Sequence, residues 1–249
     1  MRRTEHIMGI PISIDIRDAP DERTAGEAMS AAFEVLRSAD ERFSPFRSNS
    51  ELRRYERGET TASADLVEVF EIARWAGIAS SGAFSIHAPD GSLDTNGVVK
   101  GWAAQRAAEE LLARGVRNFC LNAGGDVVTH GEPEPGRPWR TGVRDPGDPR
   151  RVVAVVEQHD GAVATSGTYE RGAHVWDGRT GGPARTLVAA TVVADSLTTA
   201  DVLATCVLVL GPEGVAWAIG QGARDAFAVL PGGGVVTAGA QVQLPAGVA

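Results

Sequence analysis

Four short stretches of the chain bring together residue types that could do chemistry. The first is Leu93-Asp94-Thr95-Asn96-Gly97-Val98-Val99-Lys100-Gly101-Trp102. Asp94 and Asn96 are good helix N-cap residues, and a lysine one turn inside a helix start makes a reasonable phosphate site. A plain capped helix with an exposed lysine explains the same letters. Lys100 is unusual in another way: of 24 basic residues it is the one lysine, the rest being arginine. Either composition favours arginine everywhere, or this position needs a compact ammonium where a planar guanidinium would not fit.

The second stretch runs from Ala194 through Asp195-Ser196 to Thr205. From Ala200 its pattern is helical, and Asp201 and Thr205 lie four residues apart, so both oxygens leave one face. On an otherwise apolar helix both need partners if buried, and a hard divalent cation would satisfy the two at once. N-capping would account for Asp201 alone. The third stretch is Asn122-Ala123-Gly124-Gly125-Asp126, whose glycines would let a ligand approach the backbone while Asn122 and Asp126 hold a ribose or adenine edge; a tight hairpin turn fits equally well.

The fourth stretch, Thr165-Ser166-Gly167-Thr168-Tyr169-Glu170-Arg171, leads to His174-Val175-Trp176-Asp177. It lacks the G-x-S-x-G turn of a serine nucleophile, so a polar loop that binds ligand oxygens is the better reading. His174 stands between that loop and a strand-like run with an acidic neighbour. It could be a general base near neutral pH or a structural histidine bonded to a loop carbonyl. His6, His87, His130 and His159 fall in turns or at strand edges and are expected to be solvated.

These stretches need elements to position them. Ile10, Ile12, Ile14 and Ile16 alternate as a half-buried strand, and residues 21–42 carry a long amphipathic helical pattern. Residues 43–60 read as a polar, turn-rich segment. Helices follow around 64–80 and 98–114, with a Gly-rich stretch at 81–97 between them. Strand-like runs appear at 117–122, 126–129, 138–144, 152–157, 161–165, 173–176 and 187–193, then helices at 199–210 and 213–221 and a last hairpin near 226–243. Segregated helices and strands predict an α+β fold, one domain over 1–249, with an antiparallel sheet and flanking helices.

Composition excludes several classes. A net charge of −8 argues against general attraction to nucleic acid or anionic lipid, so an anionic ligand must be neutralised locally. Cys120 and Cys206 have no metal-ligand spacing and read as buried thiols. No apolar run approaches the roughly 18 residues of a membrane span, and no export signal is seen at the start, so no membrane insertion and a cytoplasmic location are expected.

Taken in order, the stretches resemble the ApbE-type FAD:protein FMN transferases. The resemblance rests on Asp94-x5-Lys100-Gly101, Asn122-Ala123-Gly124-Gly125-Asp126, Thr165-Ser166-Gly167-x-Tyr169-Glu170-Arg171, His174-x2-Asp177-x3-Gly181 and Ala200-Asp201-x3-Thr205, and is strongest over 8–211. It implies an enzyme that moves FMN from FAD onto a Thr or Ser hydroxyl of an acceptor protein and releases AMP. FAD and the acceptor would be the partners and Mg²⁺ the cofactor. The alternatives are an Mg²⁺-dependent FAD hydrolase and a non-catalytic flavin-binding module.

Carried over position by position, the resemblance implies that Asp201, Thr205 and the backbone carbonyl of Gly97 hold Mg²⁺. It also implies that Asp94 and Lys100 contact FAD and that Met8 and Val175 line the flavin pocket. Lys100 would add charge at the phosphates, and His174 would take the acceptor proton with Asp177 as an orienting neighbour. Ala83-Phe84-Ser85 falls at the family's flavin-binding Ala/Tyr-Phe-Asp, so Ser85 lacks the usual carboxylate. Gly178 stands where proline usually follows Asp177, and the segment from Ser85 to Asp94 is short.

Overall fold

The computed structural model describes residues 1–148, 150–168, 175–239 and the strand pairing of 242–243. The chain opens with a hairpin of β1 (Arg2–Ile7) and β2 (Ile10–Ile16). Its turn, Met8-Gly9, holds φ of 57° and 72°, the left-handed pair that a two-residue hairpin turn requires. β1 is absent from the sequence reading. Its alternating charged residues, Arg3, Glu5 and their neighbours, hide the strand pattern, and such charges suit an edge strand.

Next comes α1 (Glu22–Phe43), capped by Asp21, whose carboxylate accepts the Thr24 N–H at 2.7 Å. It buries Met29, Ala32, Phe33 and Leu36 on one face, as the periodicity predicts. A six-residue helix, α2 (Glu51–Glu56), interrupts the segment expected to be turns. It is too short to show a period and is set by its Ser50 cap, which accepts the Arg53 N–H at 3.2 Å. Then follow α3 (Ala64–Ala79) and α4 (Asn96–Ala113).

The second half supplies the rest of the sheet: β3 (Phe119–Ala123), β4 (Asp126–His130), β5 (Trp139–Arg144), β6 (Val152–Gln158), β7 (Gly161–Gly167) and β8 (Ala189–Ala194). After α5 (Leu197–Leu210) and α6 (Glu213–Gly220) come β9 (Asp225–Val229), β10 (Val235–Ala238) and β11 (Val242–Gln243). Among the described residues all strand pairings are antiparallel. Eight strands form one sheet in the order β1-β2-β3-β4-β7-β8-β9-β10, and β11-β6-β5 form a second. The expected closing hairpin is therefore β9–β10 alone, while β11 crosses to β6. Of the strand expected at 173–176, residues 173–174 lie outside the described residues, and Trp176 makes only an isolated bridge to Pro183.

Three layers result. One face of the eight-stranded sheet carries Ala162, Ala164, Ala190, Val192, Ala194, Ala226 and Ala228 into the main core beneath α5. Small side chains there let the helix lie close to the strands. The other face presents Val163, Val193 and Phe227 to Val143, Val153 and Val156 of the small sheet. Strands β7, β8 and β9 are thus covered on both sides. Both cysteines are free thiols, Cys206 buried and Cys120 only half-buried. Among the described residues, no helix is long and apolar enough to cross a membrane.

Helix α4 lies between α1 and α5. Its contact with α5 runs through Gly101, where a Cβ would stand 2.7 Å from both the Asp201 Cβ and the Leu197 carbonyl oxygen. Only a bare backbone fits this crossing. Gly101→Ala should therefore destabilise the fold by about 1–3 kcal/mol through overpacking, read as a lower urea midpoint. An unchanged midpoint would mean that the two helices part without strain.

Candidate functional site

Strand register gathers the chemical groups at one end of the large sheet. The β1–β2 turn with Met8, the β3–β4 turn, the last residues of β7 and the first of β8 all lie there. Asn122-Ala123-Gly124-Gly125-Asp126 is a tight hairpin: both glycines have positive φ, and Asn122 Oδ1 accepts the Gly125 N–H at 2.9 Å. Gly124 also lets Ile10 pack against the turn, since a Cβ there would stand 2.9 Å from Ile10 Cδ1. A ribose-holding role for Asn122 and Asp126 is thus replaced by turn and anchor roles.

Lys100 is not a free cation on a helix surface. Its Nζ pairs with Asp126 Oδ2 and stands 3.0 Å from Asp201 Oδ1. Asp126 and Asp201 are each only 2% exposed, whereas the Lys100 side chain keeps 30% of its surface. Burial alone would pull the lysine pKa down, but the two carboxylates outweigh it, and the ammonium is held above its usual range. Asp201 is raised to about 6: burial is the largest influence, Lys100 draws it back, and Asp126 pushes it up again. Lys100, expected at the phosphates, and Asp201, expected at the ion, thus touch directly.

The remaining oxygens are also engaged. Asp201 Oδ2 accepts the Gly101 N–H at 2.9 Å. In a regular helix that N–H points at the Gly97 carbonyl, which has two lone pairs and keeps acceptor capacity however the N–H is shared. One turn beyond Asp201, the Thr205 and Ser166 hydroxyls meet at 3.0 Å. Asp126 Oδ1 accepts the Thr165 N–H at 2.9 Å, and Thr165 Oγ1 meets Thr191 Oγ1 at 2.9 Å. α5 itself starts on a Ser196 cap, and its Leu197 N–H donates to Gln105 of α4 at 2.9 Å.

Asp94 is not the cap of α4. Thr95 occupies that position without a side-chain capping bond, and Asp94 Oδ1 accepts the Asn96 N–H at 2.9 Å. The overlooked α2 steadies this loop: Glu56 accepts the Leu93 N–H at 2.6 Å, and Arg53 donates to the Leu93 carbonyl at 3.1 Å. Ala83 and Phe84 are buried, and the Phe84 ring lies against Gly97, where a Cβ would stand 3.1 Å away. Met8 and Val175 pack half-buried on the main core.

Ser85 and Gly178 meet. A Cβ at Gly178 would be 2.7 Å from Ser85 Cβ and 2.5 Å from the Gly82 carbonyl, and the Gly178 N–H donates to the Ala83 carbonyl at 2.9 Å. The two departures from the family pattern are thus one local packing arrangement. Asp177 is committed to Arg179, whose guanidinium bonds both its oxygens and holds its carboxyl below the usual range. His174, which Asp177 was expected to orient, lies outside the described residues. His130 is not merely solvated: its Nδ1 meets the Arg117 carbonyl at 2.7 Å, and its ring stacks on Phe119.

Two buried carboxylates and one ammonium leave one formal negative charge and an all-oxygen donor set. Among the described residues there is no cluster of three His, Cys, Asp or Glu side chains suited to a metal. A cation here would rely on Asp201 with hydroxyl and carbonyl oxygens, a combination that suits a hard ion such as Mg²⁺. Sequence reasoning missed Asp126 as the partner of Lys100, and it missed Ser166 as the partner of Thr205. The signal for the first was present in a lone lysine that had to be matched by an acid.

Lys100→Met removes the partner shared by both carboxylates. It should cost up to about 3 kcal/mol, the lower end for breaking a buried pair, because Lys100 is partly exposed. Chemical denaturation would measure this, and a wild-type midpoint would show the pairs to be idle.

Residues 87–228 match the ApbE family model, more than half of the chain. The FAD:protein FMN transferase of Vibrio cholerae serotype O1 is 35% identical over 135 residues, 50% of this chain and 40% of that protein. The Rhodobacter capsulatus protein of the same name is 38% identical over 133 residues, 50% of this chain and 25% of its own length. The chain thus matches well under half the length of these relatives. Among solved structures, the flavin transferase ApbE from Vibrio cholerae superposes with a TM-score of 0.80 at 23% identity, covering 92% of this chain and 93% of that one. The apo Pseudomonas stutzeri flavinyl transferase ApbE also gives 0.80, at 25% identity over 96% and 93%. With that family match on a helix-backed antiparallel sheet, the chain belongs to the ApbE family.

Proposed function

We propose that this protein transfers the FMN half of FAD to a Thr or Ser hydroxyl of an acceptor protein, with Mg²⁺ as the helper ion. The observation that carries the reading is the cluster of Lys100, Asp126 and Asp201 beside Thr205. A family of flavin transferases needs charge control at a pyrophosphate, and this cluster provides the chain's one lysine next to hard oxygen donors. The names of the relatives support flavin transfer.

Asp201, Thr205 and the Gly97 carbonyl would hold the ion, at the crossing of α4 and α5. When bound, Mg²⁺ would supply neutralisation of the phosphate oxygens. Lys100 adds a point charge for the same phosphates, anchored by Asp126 and therefore directed. Asp94, fixed in its turn by the Asn96 N–H, would face FAD next to the start of α4, with Ala83, Phe84 and Ser85 behind it. Met8 and Val175 would meet the isoalloxazine.

In the reaction the acceptor oxygen attacks the FMN phosphorus. A new P–O bond forms, the phosphoanhydride P–O bond breaks, and AMP leaves with the electron pair. His174 takes the hydroxyl proton, a role that rests on its place after the Thr165–Arg171 stretch and on the general capacity of an imidazole to accept a proton near neutral pH.

Incubation with FAD, Mg²⁺ and an acceptor bearing a hydroxyl in a Gly- and Thr-rich segment should release AMP and increase the acceptor's mass by one FMN less water. Asp201→Asn should lose both. Free FMN without a mass gain would replace transfer by hydrolysis, and no AMP at all would leave flavin binding alone. His174→Ala should bind FAD like the parent and transfer at least a hundredfold more slowly, the scale of lost general-base help. Undiminished transfer would remove His174 from the mechanism.

A further inference from the structure

Asp126 has no part in the scheme above beyond holding Lys100, yet its setting is that of a functional group. It is the first residue of β4, directly after two glycines with positive φ, so a short side chain leaves a rigid turn in one direction. It is nearly inaccessible, and both oxygens are used: Oδ2 by the Lys100 ammonium and Oδ1 by the Thr165 N–H at 2.9 Å. At 2% exposure Asp126 presents no oxygen to a ligand edge. Asp126 must therefore act through its two partners.

Those partners are the site. Lys100 also reaches Asp201, and Thr165 precedes Ser166, which bonds Thr205. Without Asp126, the ammonium would be drawn wholly to Asp201, the carboxylate assigned to the cation. With it, the charge of Lys100 is divided and its position fixed by a strand. The same carboxylate pins the end of β7 against α4.

We propose that Asp126 is a positioning residue for flavin-nucleotide binding, which holds the Lys100 ammonium away from full pairing with Asp201 and locks it to the end of β7. The inference rests on the flavin-transfer reading of this site. A carboxylate is required because both contacts come from donors; an asparagine of the same shape would turn its NH₂ toward one of them.

A thermodynamic cycle tests this on the intact chain. Asp126→Asn should weaken FAD binding, measured by flavin fluorescence, about tenfold, the worth of one hydrogen bond to a charged group. In a Lys100→Met background the same change should add nothing. Equal weakening in both backgrounds, or none in the parent, would overturn the proposal, since a merely structural aspartate acts independently of Lys100.

A second measurement is independent of FAD and of whether either variant folds. Because the chain has one lysine, lysine-selective ¹⁵N NMR of the parent shows a single ammonium. It should be motionally restricted, and a freely rotating ammonium would overturn the proposal by itself. If FAD fails to bind the parent while the ammonium is restricted, the flavin reading falls and the anchoring role of Asp126 stands.

Discussion

Burying a carboxylate costs several kcal/mol unless a partner meets it, and this protein buries two within reach of a single ammonium. Neither Asp126 nor Asp201 can go unmatched, so α4, α5 and β4 are bound to one mutual geometry. An arginine would not serve. Its flat fork suits one carboxylate side-on, whereas a compact ammonium with three rotatable donors can bridge two carboxylates that approach from different elements. The bare backbone at Gly101 follows from the same demand, because α5 must come close enough for Asp201 to accept a main-chain N–H of α4.

Beside this centre lie the two positions at which the sequence departs from the pattern of the family it resembles. Ser85 takes the place of a carboxylate and Gly178 that of a proline, and in space they share one contact. Gly178 also donates its N–H to Ala83, which a proline could not do. The loop that leads to Asp94 is therefore closed by backbone contact, and α2 grips its far end at Leu93.

Much of the fold was legible because its long elements are periodic. α1, α3 and α4 were found to within two residues, and the alternation of β2 was plain. What escaped had physical reasons. β1 is an edge strand whose charges serve solvent and so mask alternation. α2 is too short for a period, and β11 pairs across the molecule with β6, a choice that no local pattern encodes. For the site, the spacing of Asp201 and Thr205 revealed a helix face, and the lone lysine marked itself. The partner of that lysine did not, because residues 26 apart in different elements are joined only by tertiary packing.

The covering of β7, β8 and β9 on both faces has a temporal side. Their amides can reach water only when the small sheet or the helical layer lifts away, so they belong to the most slowly opening part of the protein. Thr165 and Ser166 sit at the rim of that slow region, where the strand runs out beyond its cover. The hydroxyl and amide groups at that rim are therefore built on backbone that rarely opens.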